Sequence, residues 1–147
     1  MIVQNHQIAY RNVVSKYYNF YPEEIEEALK DFDAILIEHG FTPNGTMLLS
    51  ILSDPTAEVM IAEVFLPIEE SNFNIQTDEQ MNFRSYLNVK PMIMTRVMED
   101  FDAQSRVKYW ELIDYIKRNG LKQKTAVFVE FKSSYAGRTY VEMSVGV

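Results

Sequence analysis

Three glutamates stand inside short apolar runs, in Ile61-Ala62-Glu63-Val64-Phe65, Phe128-Val129-Glu130-Phe131 and Tyr140-Val141-Glu142-Met143. A carboxylate among aromatic rings suits an organic cation, because the carboxylate supplies the opposite charge and a ring face attracts a cation by about 0.5–2 kcal/mol. The same carboxylates could also form an acid–base pair. No nucleophile or oxyanion-binding motif stands beside them in the sequence, so binding is favoured over catalysis. The candidate ligand-binding residues are Glu130, Phe128, Tyr140, Glu142, Trp110, Glu63 and Phe65, with no catalytic residue assigned.

Other chemistries find little material. The two histidines, His6 and His39, do not have the spacing of a metal cluster, and the absence of cysteine removes thiolate ligands and nucleophiles. His39 stands at the end of a helical pattern, where it partners the helix dipole. Five scattered glycines make neither a phosphate loop nor a dinucleotide fingerprint, so no cofactor is expected. A net charge of −7 repels phosphate backbones and anionic lipid, which disfavours nucleic acid and membrane partners. The cysteine-free composition and an N-terminus without a signal pattern point to the cytoplasm. Asn44-Gly45-Thr46 reads as a turn rather than a glycosylation site.

The glutamates need strands to aim them. The β-branched and aromatic run Ile8 to Tyr17 predicts a first strand. From Glu23, Ile25, Ala28, Leu29, Phe32, Ile35, Leu36 and His39 recur at helical spacing before Gly40. Met47 to Ser53 and Val59 to Ile68 then read as two strands. Glu69 to Asn88 is polar and weakly patterned, as expected of an irregular connector. Met92 to Asp100 predicts a strand, and Val107, Trp110, Ile113 and Ile116 mark one face of a helix ending at Asn119-Gly120. Thr125 to Lys132 and Arg138 to Val147 complete the chain as strands, separated by Ser133-Ser134-Tyr135-Ala136-Gly137.

The order β-α-β-β therefore occurs twice, and a shift of about 79 residues lays Gly40 near Gly120, Thr46 on Thr125 and Glu63 on Glu142. The expected fold is α+β: one domain over 1–147, with duplicated β-α-β-β units over about 6–68 and 91–147 and a connector over 69–90. These form an antiparallel sheet with two helices on one face and a concave ligand face on the other. Strand alternation puts Val141, Met143, Val145, Val127, Val129, Phe131, Ala62, Val64 and Leu66 toward the helices. Tyr140, Glu142, Ser144, Phe128, Glu130, Ile61, Glu63 and Phe65 then take the opposite side.

This order, with Thr95-Arg96-Val97, Tyr109-Trp110-Glu111-Leu112-Ile113 and Phe128-Val129-Glu130-Phe131, resembles the GyrI-like small-molecule-binding domains. That resemblance implies an effector-binding domain whose concave face holds a ligand, with Glu130 matching the family's cation-contacting glutamate. It departs at Phe131, where tyrosine is frequent in the family, and in offering no helix-turn-helix. The function expected is a stand-alone protein that senses or sequesters an amphipathic, cationic small molecule in a pocket between the two repeats. The alternative is a non-enzymatic protein–protein interaction module or accessory protein with a degenerate pocket, which binds a protein partner or a second copy through the aromatics of Tyr17 to Tyr21.

Overall fold

A computed structural model describes residues 1–73, 80–134 and 136–147, so parts of the connector and Tyr135 lie outside the described residues. The fold is α+β, with six strands in antiparallel pairs and two α-helices among the described residues. The strands are β1 (Val3–Phe20), β2 (Leu48–Ile51), β3 (Met60–Pro67), β4 (Met81–Val97), β5 (Val127–Ser133) and β6 (Thr139–Gly146). The helices are α1 (Ile25–Glu38) and α2 (Phe101–Arg118).

The chain divides into two compact units, one formed by Ala9–Asn88 and the other by Met1–Ile8 with Val89–Val147. They are called here the central and the terminal unit. In the central unit β3 pairs with both β1 and β2, and in the terminal unit β6 pairs with both β4 and β5, all antiparallel. In both units, then, one strand, β3 or β6, stands in the middle of a three-stranded ladder.

Local sequence explains both helices. Pro22 opens a single 3-10 turn that leads into α1, where its missing N–H is not needed. Gly40 (φ 84°) and Gly120 (φ 63°) end the two helices in the left-handed region. There Phe41 N donates to Leu36 O and Leu121 N to Ile116 O, both at 3.0 Å, closing both helix ends in the same way. His39 Nδ1 lies 2.8 Å from Ile35 O, which also accepts from the His39 backbone N–H at 3.2 Å. Gly45 (φ 111°) makes the turn before β2, and Asn44 N donates to Pro67 O at 2.7 Å.

Packing against the helices follows the expected alternation, although both faces of β3 and β6 are buried. In the terminal unit Leu112 and Ile116 of α2 pack with Ile93, Val97, Val127, Val141, Met143 and Val145, flanked by Tyr109, Tyr115, Val129 and Phe131. Full burial of an aliphatic side chain of this size is worth about 1.5–3 kcal/mol, enough to hold α2 on that face. In the central unit α1 buries Ala28, Phe32, Ile35 and Leu36, and Phe32 meets Tyr18 of β1 edge-on at 6.3 Å. Tyr18 pairs with Ala62, so Ala62, Val64 and Leu66 face α1.

Two expectations are corrected. The connector is strand from Met81 onward, because Met81 to Asn88 continues directly into the apolar run that follows as one long β4; its low apolar content reflects partial exposure, not irregularity. The phase of α2 also differs. Leu112 and Ile116 are its buried residues, whereas Val107 and Trp110 are 50% and 48% exposed. The stripe that meets the sheet runs through Tyr109, Leu112 and Ile116, spaced by three and four, and leaves Trp110 on the solvent side.

Candidate functional site

The sheet face turned away from α2 carries the polar chemistry of the terminal unit. Strand register arranges this face in rows. Lys132 stands opposite Tyr140, then Glu130 opposite Glu142 opposite Arg96, then Phe128 opposite Ser144 opposite Met94. Met92 follows beside Gly146. Glu130 and Glu142 are 2% and 6% exposed, and Phe128, Ser144, Met92 and Met94 are also buried.

Two carboxylates directly opposite on antiparallel strands repel. His6 and the two glutamates can bring one ligand atom each within 4.8 Å of one another, where like charges would cost roughly 3–4 kcal/mol at an effective dielectric of 20. The protein answers with its own cations. Arg96 Nε donates to Glu142 Oε2 at 2.8 Å. Lys132 Nζ stands 3.4 Å from Glu130 Oε2 and 3.9 Å from Glu142 Oε1. His6 Nε2 lies 3.4 Å from Glu130 Oε1.

One imidazole and two carboxylates are ligand types for a divalent ion. In this cluster Lys132 and Arg96 already balance both carboxylates, so charge alone does not call for a metal. Ser144 Oγ, in the row beside the glutamates, is fully buried and has no hydrogen-bond partner among the described residues. An unpaired buried hydroxyl costs about 1–3 kcal/mol.

The central unit treats its glutamate differently. Glu63 is 6% exposed and accepts a 2.6 Å hydrogen bond from Ser15 Oγ. Arg84 Nη1 donates to Ser15 Oγ and to Glu63 Oε2, both at 3.1 Å, and its guanidinium lies 5.4 Å from the Phe65 ring centroid. Ser50, not a second carboxylate, stands opposite Glu63.

The residues singled out in the sequence thus separate. Glu130, Glu142, Phe128 and Tyr140 share one face of the terminal unit; Glu63 and Phe65 share one face of the central unit. Ile61, expected on that second face, is 42% exposed near the strand end. Trp110 joins neither group: its ring lies against Tyr109 on α2, edge-on at 5.2 Å. Missed from the sequence were the side chains that face the glutamates, His6, Arg84, Arg96 and Lys132. Alternation alone places Arg96 and Lys132 on the glutamate face, whereas His6 is 124 residues from Glu130 and no local pattern connects them.

The family described as Domain of unknown function (DUF5085) matches residues 9–147. The chain belongs to the DUF5085 family. No curated protein matches this DUF5085 chain. Its fold is similar to the crystal structure of the EcmrR C-terminal domain, with a TM-score of 0.76 at 11% identity, covering 99% of this chain and 96% of that one. It is likewise similar to EcmrR in the cryo-EM structure of the EcmrR–DNA complex in EcmrR-RPo, with a TM-score of 0.78 at 11% identity. There 99% of this chain covers 56% of the other, so this chain spans just over half the length of that EcmrR chain. Among the described residues no helix is long and apolar enough to cross a membrane, which leaves open a crossing by strands.

Proposed function

We propose that this DUF5085 chain is a small-molecule-binding protein whose site is the glutamate-bearing face of the terminal unit, and that it takes an amphipathic organic cation without transforming it. The observation that carries this reading is the pair Glu130 and Glu142, buried and directly opposite one another, with the apolar row of Phe128 and Met94 next to them. The acidic row supplies charge for a cationic head, and the apolar row supplies surface for its body. The net charge of −7, the GyrI-like resemblance and the fold shared with the EcmrR C-terminal domain support the same reading. Tyr140, in the row of Lys132, is the candidate for the rim.

Thermal unfolding with lipophilic cations and size-matched neutral compounds tests it, since a ligand that binds the folded state raises the unfolding temperature. Cations should raise it more than their neutral counterparts do, and Glu130→Gln should remove the difference. Equal responses to both kinds of compound, or an unchanged response in Glu130→Gln, would contradict the assignment.

A second reading, a protein-interaction module, draws on Tyr17 and Tyr21, which are 53% and 45% exposed at the exit of β1. It predicts that Tyr17→Ser with Tyr21→Ser abolishes a concentration-dependent association of the purified chain while leaving cation responses intact.

A further inference from the structure

One end of the central unit exposes apolar side chains where its strands run out. Tyr17 on β1 and Ile61 on β3 lie on the face turned away from α1, because Tyr17 pairs with Glu63 and Asn19 with Ile61. Phe20 pairs with Met60, so Tyr21 and Val59, each one residue beyond its strand, are the next to face one another. Leu52 follows β2 in the same way, and its N–H donates to Ile61 O at 2.8 Å. All five side chains are 42–53% exposed. Single exposed apolar residues are ordinary, but a contiguous group rimmed by polar ones marks an interaction surface.

The charge around the group has one sign. Glu23 and Glu24 follow Tyr21 in the 3-10 turn, and Asp54 and Glu58 lie in the loop from β2 to β3. Residues 17–24 and 48–63, which build this end, hold Glu23, Glu24, Asp54, Glu58 and Glu63 and no lysine or arginine. Arg84 reaches the same face, but Glu63 and Ser15 already hold it at 3.1 Å. The Thr56 hydroxyl and backbone N–H donate to the Asp54 carboxylate and hold its pKa below the ordinary value, so Asp54 stays charged. Ala57 N donates to Asp54 O and Ile61 N to Ser53 Oγ, both at 3.0 Å, which gives the loop a defined shape.

An occupant must match both features. Nucleic acid and anionic lipid bring phosphate, which the acids repel. A second copy would set the same acidic rim against itself, with a net charge of −7 on each chain. A segment that carries lysine or arginine beside apolar side chains suits the patch and its rim together.

Resting on the second reading above for its two tyrosines and going beyond it, we infer that this end of the central unit is a docking surface for a basic amphipathic segment of another protein. Tyr17, Tyr21, Leu52, Val59 and Ile61 take its apolar side chains, and Glu23, Asp54 and Glu58 take its positive charges. The apolar contacts supply most of the affinity, and the acids speed the encounter and select the partner.

Fluorescence anisotropy with a labelled amphipathic peptide of lysine and leucine, titrated with the full chain, tests this; the control peptide carries glutamate in place of lysine. The lysine peptide should bind, more weakly as salt is raised, and the glutamate peptide should not. Tyr17→Ser with Ile61→Ser should weaken binding roughly tenfold or more, as the loss of central contacts does at other interfaces. Asp54→Asn with Glu58→Gln should weaken it several-fold and flatten its salt dependence. Val107→Ser with Trp110→Ser, on the exposed side of α2, should leave it unchanged.

The substituted side chains are exposed, so these variants should unfold near the temperature of the natural chain; Leu52→Ser gives the same reading if a double variant does not fold. Equal binding of the two peptides, or binding that survives Tyr17→Ser with Ile61→Ser, overturns the inference. Self-association through the two tyrosines, with no binding of the lysine peptide, overturns this choice of occupant and keeps the second reading. A chain that binds neither peptide and stays monomeric overturns both, and leaves the cation site to its own test.

Discussion

The two units bury the same residue type at corresponding places and finish the job differently. In the central unit Glu63 meets one hydroxyl and one guanidinium at 2.6 and 3.1 Å, with Ser50 opposite. In the terminal unit Glu142 meets a second buried glutamate, and the pair shares three cationic or basic side chains, of which one bond is as short as 2.8 Å. The first arrangement is closed: each partner satisfies the other and little remains to offer a ligand. The second holds two carboxylates against Arg96, Lys132 and His6, the latter two at 3.4 Å, beside a hydroxyl unpaired among the described residues, and it is the site proposed for the ligand.

The largest effect should come from breaking the closed cluster. Arg84→Met leaves Glu63 buried with only Ser15 of its two described partners, and should destabilise folding by roughly 2–3 kcal/mol in urea denaturation, less than the full loss of a buried pair because Arg84 is partly solvated. The corresponding Lys132→Met should cost about 1 kcal/mol, since Arg96 and His6 remain to share the charge. Equal costs would dissolve the contrast between the units.

Two orphan hydroxyls sharpen it. Thr95 Oγ1 and Ser144 Oγ are both buried and unpaired among the described residues, on opposite faces of the terminal unit. Thr95→Val and Ser144→Ala should each stabilise the free protein by about 1 kcal/mol. Ser144→Ala alone should weaken ligand binding, measured by titration, because Thr95 is on the α2 side.

Glu130→Gln should change stability by under about 1 kcal/mol, as relief of repulsion offsets a lost attraction to Lys132. The smallest effect is expected at Glu70, which belongs to neither cluster. The Thr42 backbone N–H and hydroxyl donate to its carboxylate at 2.9 Å, and the backbone bond is the main cause that holds its pKa below the ordinary value. Its contribution is therefore present above the ordinary carboxylate range and lost as pH falls through the lowered value. Glu70→Gln should flatten the acid limb of the stability curve slightly and leave ligand binding unchanged.

Much of this contrast could be read before the structure. Alternation put Glu130, Glu142 and Glu63 on the faces away from the helices, since one residue of slip would have sent Phe131 and Val129 out of the α2 core. The two helix-ending glycines and the order β-α-β-β were equally plain. What the pattern did not carry was long-range pairing. The partners Ser15 and Arg84 reach Glu63 from 48 and 21 residues away, and His6 reaches Glu130 from the opposite end of the chain. Trp110 looked like lining because it is aromatic and falls at helical spacing with Ile113, but α2 meets the sheet along Leu112 and Ile116 instead. Met81 to Asn88 concealed a strand because its exposure left no clean alternation.

The most direct measurement is a titration of methyl-labelled methionines with tetraphenylphosphonium followed by NMR. Met92 and Met94 share the face of Glu142, Met143 faces α2, and Met60 belongs to the central unit. Saturable shifts at Met92 and Met94, with Met143 and Met60 nearly still, are the predicted result. Shifts led by Met60 or Met143, with Met92 and Met94 unmoved, would contradict the placement of the ligand site in the terminal unit.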